Sequence, residues 1–342
     1  MRFGKALLAI VFPVLVATGL GCGGGGGTPA LWNQPIFIGN GLAYTLSVYD
    51  RANGSIHQNV ATIGQWPNSM AIHGGLGYVV NSGDNNVQLF NLNDLSLAAT
   101  IDLGVGNNPM QIAFANGKGY VSNLVSNTVS VVDLASHAVT GDPIAVGNGP
   151  TPIAAAGGKI FVGNTNYQWQ TSSYGQGTVS VIDPATDAVT GTINVGTNPQ
   201  AMAVDSLPRL HVVCTGDYGS VTGEVHVIDP GTEQVVGAPI AIGGAPGSIS
   251  IAGSGIAYLI STSFSDPSVR GLMAYNSETL DIVNSAANLI HIGTNPFGVL
   301  AVGGCVYVTD FAEDSLYRYD PSTQETTKLG VVGDGPQFMA AG

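Results

Sequence analysis

A Gly-x-x-Pro unit occurs seven times along this chain of 342 residues, and successive prolines are 40 to 50 residues apart. The seven copies lie at 64–67, 106–109, 147–150, 196–199, 243–246, 293–296 and 333–336. A period of this length is typical of one four-stranded sheet per repeat. Because few folds accept seven such units, this spacing constrains the architecture more than the composition does.

Two kinds of strand recur at corresponding positions after the Gly-x-x-Pro units. One ends in an aromatic-apolar-x-Asn pattern, at 78–81 (YVVN), 120–123 (YVSN) and 161–164 (FVGN). The next alternates with a period of two and ends in Asp, at 129–133 (VSVVD), 179–183 (VSVID), 225–229 (VHVID) and 316–320 (LYRYD). Proline follows Asp183, Asp229 and Asp320, which favours a type I turn at each place. Each repeat therefore predicts a meander of four antiparallel strands.

The last repeat has room for one strand only, at 337–342, and the N-terminal part of the chain supplies the other three. Segments 36–40, 46–50 and 60–63 match the second, third and fourth strands of a repeat. We therefore predict an all-β, seven-bladed β-propeller, closed by one C-terminal plus three N-terminal strands. Such closure removes the free sheet edges along which proteins aggregate.

The aromatic-Val-x-Asn strands, the Val-x-Val-Asp strands and the Asp-Pro-x-Thr turns resemble the YVTN-type β-propeller repeat. The resemblance extends over about residues 33–342, and seven copies in register make it specific for the fold. The family is defined by its strands, and most members have no assigned reaction. The resemblance therefore implies a propeller and leaves the activity open.

The start of the chain has the pattern of an export signal. Arg2 and Lys5 precede an apolar stretch over 6–17, which is too short to span a bilayer comfortably. Cys22 follows, and five glycines come directly after it. This arrangement resembles a bacterial lipoprotein, in which a peptidase cuts before the cysteine and the cysteine becomes the lipidated first residue. Leu20 lies nearer to the cysteine than the leucine of the usual pattern.

We therefore expect three parts: a signal peptide over 1–21, the lipidated Cys22 with a glycine-rich tether over 22–32, and the propeller over 33–342. The tether is flexible and spans on the order of 15 Å, which would hold the propeller close to a membrane. The expected location is that of an exported outer-membrane or cell-surface lipoprotein. A periplasmic or secreted protein is the alternative, and in either case we expect a monomer.

Charge bears on the choice of partner. The formal net charge is −13, and the nine Lys and Arg residues are scattered singly along the chain. Nucleic-acid binding depends on clustered basic residues that replace the counterions of phosphate, so we expect no nucleic-acid partner. The glycine run at 23–27 does not follow a strand and open a helix, so it is no phosphate loop, and we expect no cofactor.

Loop lengths point to a binding surface. Because neighbouring strands alternate in direction, the Gly-x-x-Pro connections and the loops between second and third strands share one face. Three consecutive repeats have long loops on this face, at 165–177, 215–224 and 262–271. The candidate binding residues are the aromatic side chains of this face: Trp66, Tyr167, Trp169, Tyr174, Tyr218 and Phe264. Exposed Trp and Tyr dominate many interfaces, although the same rings could merely pack over the rim.

Histidine and cysteine indicate no metal centre. His211 and His226 fall on adjacent strands of one repeat, but no third ligand is near in sequence, and a metal site needs converging ligands. His211 stands in a column otherwise held by Tyr or Phe, so we interpret it as a core residue. Cys214 and Cys305 fall in non-adjacent repeats, and we expect both to be buried, unpaired thiols.

The residues that follow the seven prolines should surround the central channel, and they include neither a charged residue nor a histidine. They are Asn68, Met110, Thr151, Gln200, Gly247, Phe297 and Gln337. A hydrolase or lyase would need acid or base groups there. We therefore favour a non-enzymatic binding or interaction scaffold, whose partner is an unknown protein, peptide or saccharide of the envelope. The alternative is a propeller enzyme of lactonase or lyase type with its site over the channel.

Overall fold

Four antiparallel strands follow each of the first six Gly-x-x-Pro units, and one strand follows the last, as the repeat predicts. The structure is a computed structural model that describes residues 31–262 and 267–342. The expected signal peptide, Cys22, most of the tether and the candidate residue Phe264 lie outside the described residues. Within them the chain forms the predicted seven-bladed β-propeller.

The blades are numbered from the first Gly-x-x-Pro unit, and the strands of a blade are counted outward from the channel. Blade 1 consists of Pro67–His73, Leu76–Asn81, Asn86–Asn91 and Leu97–Asp102. Blade 2 consists of Pro109–Ala115, Lys118–Asn123, Thr128–Asp133 and a fourth strand in two pieces, Ala138–Val139 and Ile144–Ala145. Blade 3 consists of Pro150–Ala156, Lys159–Asn164, Thr178–Asp183 and Ala188–Asn194.

The remaining blades follow the same order. Blade 4 consists of Pro199–Val204, Leu210–Cys214, Glu224–Asp229 and Gln234–Val235. Blade 5 consists of Pro246–Ile251, Ile256–Ser261, Gly271–Asn276 and Ile282–Asn284, with a 3₁₀ turn at Pro267–Val269. Blade 6 consists of Pro296–Val302, Cys305–Asp310, Ser315–Asp320 and Glu325–Val331. Blade 7 consists of Pro336–Ala341, Pro35–Asn40, Thr45–Asp50 and Ser55–Thr62.

Blade 7 closes the ring as predicted. Its first strand comes from the C-terminus and pairs antiparallel with the N-terminal strand, Phe37 opposite Ala340 and Ile38 opposite Met339. The first strand of every blade contacts the first strands of both neighbours, which includes the contact between blades 6 and 7 and that between blades 7 and 1. The first strands of the seven blades therefore form a closed ring around the channel.

The hydrophobic core lies between the blades rather than within them. Seven clusters of buried apolar residues fill the seven spaces between neighbouring blades in the described structure. Between blades 3 and 4, for example, Val179 and Val181 pack against Leu210 and Val212. Valine favours strands and suits burial on both sheet faces, which explains the valine-rich second and third strands.

The fourth strands are less regular than the repeat suggests. In blade 4 the strand Gln234–Val235 has two residues, and in blade 2 the two short pieces flank residues 140–143. Pro143 and Pro239 lie where these strands would continue. Because proline has no backbone N–H to donate, it interrupts a ladder and is tolerated on an outer strand.

The propeller has two distinct faces. The loop face carries the Gly-x-x-Pro connections and the loops between second and third strands, and the turn face carries the connections between first and second and between third and fourth strands. Both described chain ends lie at the turn face. The Gly342 N–H donates to the Pro35 carbonyl at 3.3 Å, and the Leu31 N–H donates to the Asn93 carbonyl, in a turn of blade 1, at 3.0 Å.

Candidate functional site

A cavity of about 270 Å³ lies where the central channel opens on the loop face. The residues that follow the seven prolines all line it, as the repeat predicts: Asn68, Met110, Thr151, Gln200, Gly247, Phe297 and Gln337. Gln111, Tyr218 and Thr262 complete the lining. Each blade therefore contributes to one opening, which we call the channel mouth.

The chemistry of the channel mouth is polar but uncharged. Among the residues that the structure describes around it, none carries a formal charge at neutral pH. The amides of Asn68, Gln111, Gln200 and Gln337 offer both donors and acceptors. The mouth can therefore form hydrogen bonds with a ligand, whereas it has no counter-charge for an ionic one.

Side chains from one blade hydrogen-bond to the backbone of the next around the channel. Asn68 Nδ2 donates to the Pro109 carbonyl at 2.9 Å, and Ser69 Oγ donates to the Met110 carbonyl at 2.9 Å. Below the mouth, a second cavity of about 320 Å³ is lined by Met70, Met202, Met339 and Phe338 among others. The hydrogen bonds from Asn68 and Ser69 tie the first strands of blades 1 and 2 together and give this part of the mouth a rigid frame.

Four of the candidate aromatic residues form one continuous row on the loop face. The ring of Tyr167 contacts Trp169 at 4.8 Å and Tyr174 at 4.9 Å between centroids, and Tyr174 lies 6.3 Å from Tyr218. We call these four residues the aromatic row. It begins at Trp169, which is 68% exposed, and ends at Tyr218, which lines the channel mouth.

Local structure explains how the long loop of blade 3 builds this row. Tyr167–Gln168 and Ser173–Tyr174 pair as a short hairpin, in which Tyr167 stands opposite Tyr174. Asn148 Nδ2 donates to the Tyr167 carbonyl at 2.8 Å, which fixes the hairpin to the preceding Gly-x-x-Pro unit. Tyr218 comes from the long loop of blade 4, so the row joins two neighbouring blades.

Asn198 connects the aromatic row to the channel mouth. Its buried side chain interacts electrostatically with the hydroxyls of Tyr174 and Tyr218. Asn198 Nδ2 donates to the Gly216 carbonyl at 3.2 Å, and Gln200 Nε2 donates to Asn198 Oδ1 at 2.7 Å. Burial, together with the neighbouring Tyr218 and Tyr167, raises the pKa of Tyr174 to about 12. Sequence reasoning missed Asn198, although its place directly before Pro199 in a Gly-x-x-Pro unit was a signal.

Other apolar side chains are exposed around the same face. Trp66, from the connection into blade 1, is 62% exposed and lies across the ring from blade 4. Leu42, Val105 and Val125 are also exposed on loops of this face. The structure thus groups four of the five described candidate residues, while Trp66 stands apart from the aromatic row.

His211 is a core residue, as predicted, and it belongs to a network that the sequence did not reveal. Its Nε2 lies 3.0 Å from Asp205 Oδ2, and the Tyr275 hydroxyl of blade 5 lies 2.8 Å from its Nδ1. Arg209 Nε donates to Asp205 Oδ2 at 2.8 Å. Since the side chains of His211, Asp205 and Tyr275 are almost wholly buried, the network fastens blade 4 to blade 5.

The other metal and thiol candidates remain separate. His226 Nε2 lies 2.9 Å from Glu224 Oε1, and no group of three or more His, Cys, Asp or Glu in the described residues could hold a metal ion. Cys214 and Cys305 are unpaired, as expected, and Cys214 is buried. The expectation was wrong for the burial of Cys305, which is half-buried because it opens its strand at the turn face. The described residues contain no helix long and apolar enough to cross a bilayer.

Comparison with known proteins identifies the fold and nothing finer. No family model and no curated protein matches the sequence. Among solved structures, a candidate 6-phosphogluconolactonase from Bacteroides uniformis is similar at a TM-score of 0.68 and 13% identity, covering 90% of this chain and 99% of that chain. Apo AztD from Citrobacter koseri is similar at 0.60 and 11%, covering 90% and 98%.

A third similar structure is the dihydro-heme d1 dehydrogenase NirN, with a TM-score of 0.58 and 14% identity over 92% of this chain and 77% of that chain. At such identities the similarity extends to the propeller fold alone. Proteins with such different names share this fold, so the function of this chain has to be argued from its own side chains.

Proposed function

We propose that this protein is a non-enzymatic binding scaffold of the cell envelope, which takes its ligand at the channel mouth and the aromatic row. The observation that carries the proposal is the aromatic row, which leads from the exposed Trp169 to Tyr218 at the mouth. Exposed Trp and Tyr on a rigid frame are the residues that supply most binding energy at interfaces.

The packing of the row supports a binding role over a purely structural one. Tyr167 and Tyr174 are half-buried and brace each other, whereas Trp169 leaves 68% of its surface to solvent. A ring that served only to cover its own loop would be expected to bury most of its surface. Trp169 instead presents a large apolar surface that a ligand could cover.

The channel mouth also bears on the enzyme alternative. General acid–base catalysis uses carboxylates, histidine, lysine, tyrosine or cysteine within reach of one substrate, and of these the described lining of the mouth contains only Tyr218. Tyr174 does not line the mouth, and its pKa is raised to about 12, which makes its hydroxyl a weaker acid than an ordinary tyrosine. We therefore propose binding rather than lactonase or lyase chemistry at this site.

The position of the chain ends supports an outward orientation of the site. Leu31 is fixed at the turn face by its bond to Asn93, so the tether that we expect at 22–32 leaves from the side opposite the aromatic row. If Cys22 carries a lipid, the turn face lies towards the membrane and the loop face lies away from it. In that orientation the channel mouth is open to a partner of the envelope.

Site-directed photocrosslinking in intact cells tests the proposal. We would replace Trp169 with p-benzoylphenylalanine and, as a matched control, Leu207, which is 54% exposed on the turn face. We expect a ligand adduct at position 169 that disappears when Tyr218→Ala is added, and no such adduct at position 207. Equal labelling at the two positions, or none at 169, would contradict the proposal.

A further inference from the structure

We infer that the ligand of the channel mouth is an uncharged oligosaccharide. This inference rests on the proposed function and adds the chemical class of the ligand. The observation behind it is a cavity that combines four side-chain amides, two threonines and aromatic rings with no charged side chain in its described lining.

The absence of charge in this lining disfavours charged small ligands. A phosphate, carboxylate or ammonium group that enters the mouth loses hydration, and such a loss is compensated only by an opposite charge or by several strong hydrogen bonds. Anions also meet the net charge of −13 of the whole chain. A phosphorylated sugar, the class of compound in the name of the similar 6-phosphogluconolactonase, would therefore be disfavoured as a ligand here.

The polar groups that remain match hydroxyl groups. A sugar hydroxyl both donates and accepts a hydrogen bond, and so does a side-chain amide through its NH₂ and its oxygen. Gln200 donates from Nε2 to Asn198, which leaves its Oε1 to accept a hydrogen bond from a ligand hydroxyl. Asn68 likewise uses Nδ2 towards blade 2, which leaves its Oδ1 acceptor. These bonds fix the orientation of both amides before a ligand arrives.

The aromatic groups match the apolar C–H faces of sugar rings. Tyr218 lies at the mouth and Trp169 at the outer end of the row, so consecutive sugar units could follow the rings outward. The cavity of about 270 Å³ is close to the lower end of the usual size of ligand sites, about 300 to 1,000 Å³. It therefore suits one or two sugar units at the end of a chain rather than a folded partner.

The backbone of Trp66, in the connection that enters blade 1, has an unusual conformation. Its φ is 49°, a left-handed conformation that is strained for a bulky residue. The same place before proline holds residues that tolerate it in four other blades, namely Asn108, Gly149, Asn198 and Gly335. Trp66 is 62% exposed and does not belong to the described lining of the cavity, so the inference rests on Tyr218 and Trp169.

Isothermal titration calorimetry of the full chain tests the inference, with Cys22→Ser to prevent lipidation. The probes are the neutral trisaccharides maltotriose, cellotriose and triacetylchitotriose, together with trigalacturonate and its fully methyl-esterified form, which differ in charge and in three small methyl groups. We expect at least one neutral probe to bind, and the ester to bind more tightly than the free acid.

Variants then assign the binding to the site. Trp169→Ala and Gln200→Ala should each weaken binding by about tenfold or more, and Val125→Ala, exposed on the same face, by less than about twofold. Tyr218→Phe keeps the ring and should weaken binding less than Tyr218→Ala does. This comparison distinguishes the loss of a ring contact from misfolding of the variant. Binding by none of the neutral probes at millimolar concentration, or equal binding of acid and ester, overturns the inference. An adduct at position 169 would then still support the proposed function with a ligand of another class.

Discussion

The side chain of Asn164 lies directly over Gly147, with its Cγ 2.6 Å from the point where a Cβ of that glycine would stand. The same pair recurs in blade 1, where Asn81 Cγ would lie 2.7 Å from a Cβ of Gly64. Asn164 Nδ2 also donates to Thr178 Oγ1 at 3.1 Å and to Ser180 Oγ at 3.0 Å. The asparagine therefore joins two strands of a blade to the connection that enters it, which explains why glycine and asparagine recur together.

We expect Gly147→Ala to destabilise the protein by about 1 to 3 kcal/mol, because the added methyl group overlaps the buried Asn164. The measurement is chemical denaturation. Gly253→Ala is the matched control, since a Cβ at Gly253 meets nothing within 4 Å. Asn164→Ala should lower the free energy of unfolding by less in the Gly147→Ala background than it does in the otherwise unchanged protein. Additive losses would show that the two residues are not coupled.

Asp310 takes the place of the asparagine in blade 6 and should be more sensitive to substitution. It is fully buried, and its carboxylate accepts four backbone N–H groups, from Thr294 at 2.5 Å, Asn295 at 2.7 Å, Ala312 at 3.1 Å and Glu313 at 2.9 Å. We expect Asp310→Ala to cost about 3 kcal/mol or more in unfolding free energy, because four donors lose their acceptor.

The isosteric Asp310→Asn variant should cost less than Asp310→Ala, since an amide oxygen can still accept on one side. Asp142→Ala, at an exposed turn position, serves as the control and should change stability by less than about 0.5 kcal/mol. Equal effects of the substitutions at 310 and 142 would show that these hydrogen bonds contribute little to the fold.

Closure of the ring should depend on the last strand. Deleting residues 337–342 removes the first strand of blade 7, including Phe338 and Met339, which pack in the cores on its two sides. We expect a large drop in melting temperature and lower solubility, because apolar surface and sheet edges become exposed. Deleting Gly342 alone should have little effect. A melting temperature unchanged by the longer deletion would contradict the role of this strand.

The network around His211 predicts a stability that falls on the acid side. Burial lowers the pKa of His211 below its usual value, although the hydrogen bond and charge of Asp205 oppose the shift. The unfolded chain then takes up a proton below about pH 6.5 while the folded protein does not, so unfolding is favoured as the pH falls. For Asp205, hydrogen bonds from His211 and Arg209 outweigh burial and lower the pKa, which adds a further loss near pH 4.

Thermal melts between pH 7 and pH 5 test this expectation. His211→Gln should lower stability at neutral pH and flatten the slope of stability against pH in that window, whereas His291→Gln, at an exposed position, should leave the slope unchanged. Burial also raises the pKa of Tyr275, so stability should fall again above about pH 10, where the unfolded chain ionises. An unchanged acid slope in His211→Gln would mean that another group controls it.

Much of the fold could be predicted because the information is local and repeated. The spacing of Gly-x-x-Pro, the strand ending in Asn164 and the turn after Asp183 each recur, and each has its own physical reason. Asp183 Oδ1 accepts the Ala185 N–H at 2.9 Å, as turn chemistry requires. The irregular fourth strands differ because they lie outermost and tolerate residues such as Pro239.

The site could be predicted only in part. Sequence placed the long loops on one face, but the distances within the aromatic row depend on the hairpin that sets Tyr167 opposite Tyr174. The Asp205–His211–Tyr275 network joins residues from different blades that are far apart along the chain, which no local pattern reveals. The lipid anchor at Cys22 and the resemblance to the YVTN-type repeat stay predictions.

The meeting of Gly342 and Pro35 at the turn face has a practical consequence. A purification tag, a fluorescent protein or a surface linker added at residue 342 would emerge at the turn face, where Leu31 also lies, and leave the loop face unobstructed. The ring could also be immobilised through residue 342 with its loop face towards solution. Such preparations would allow the channel mouth to be screened on a sensor without altering any residue that lines it.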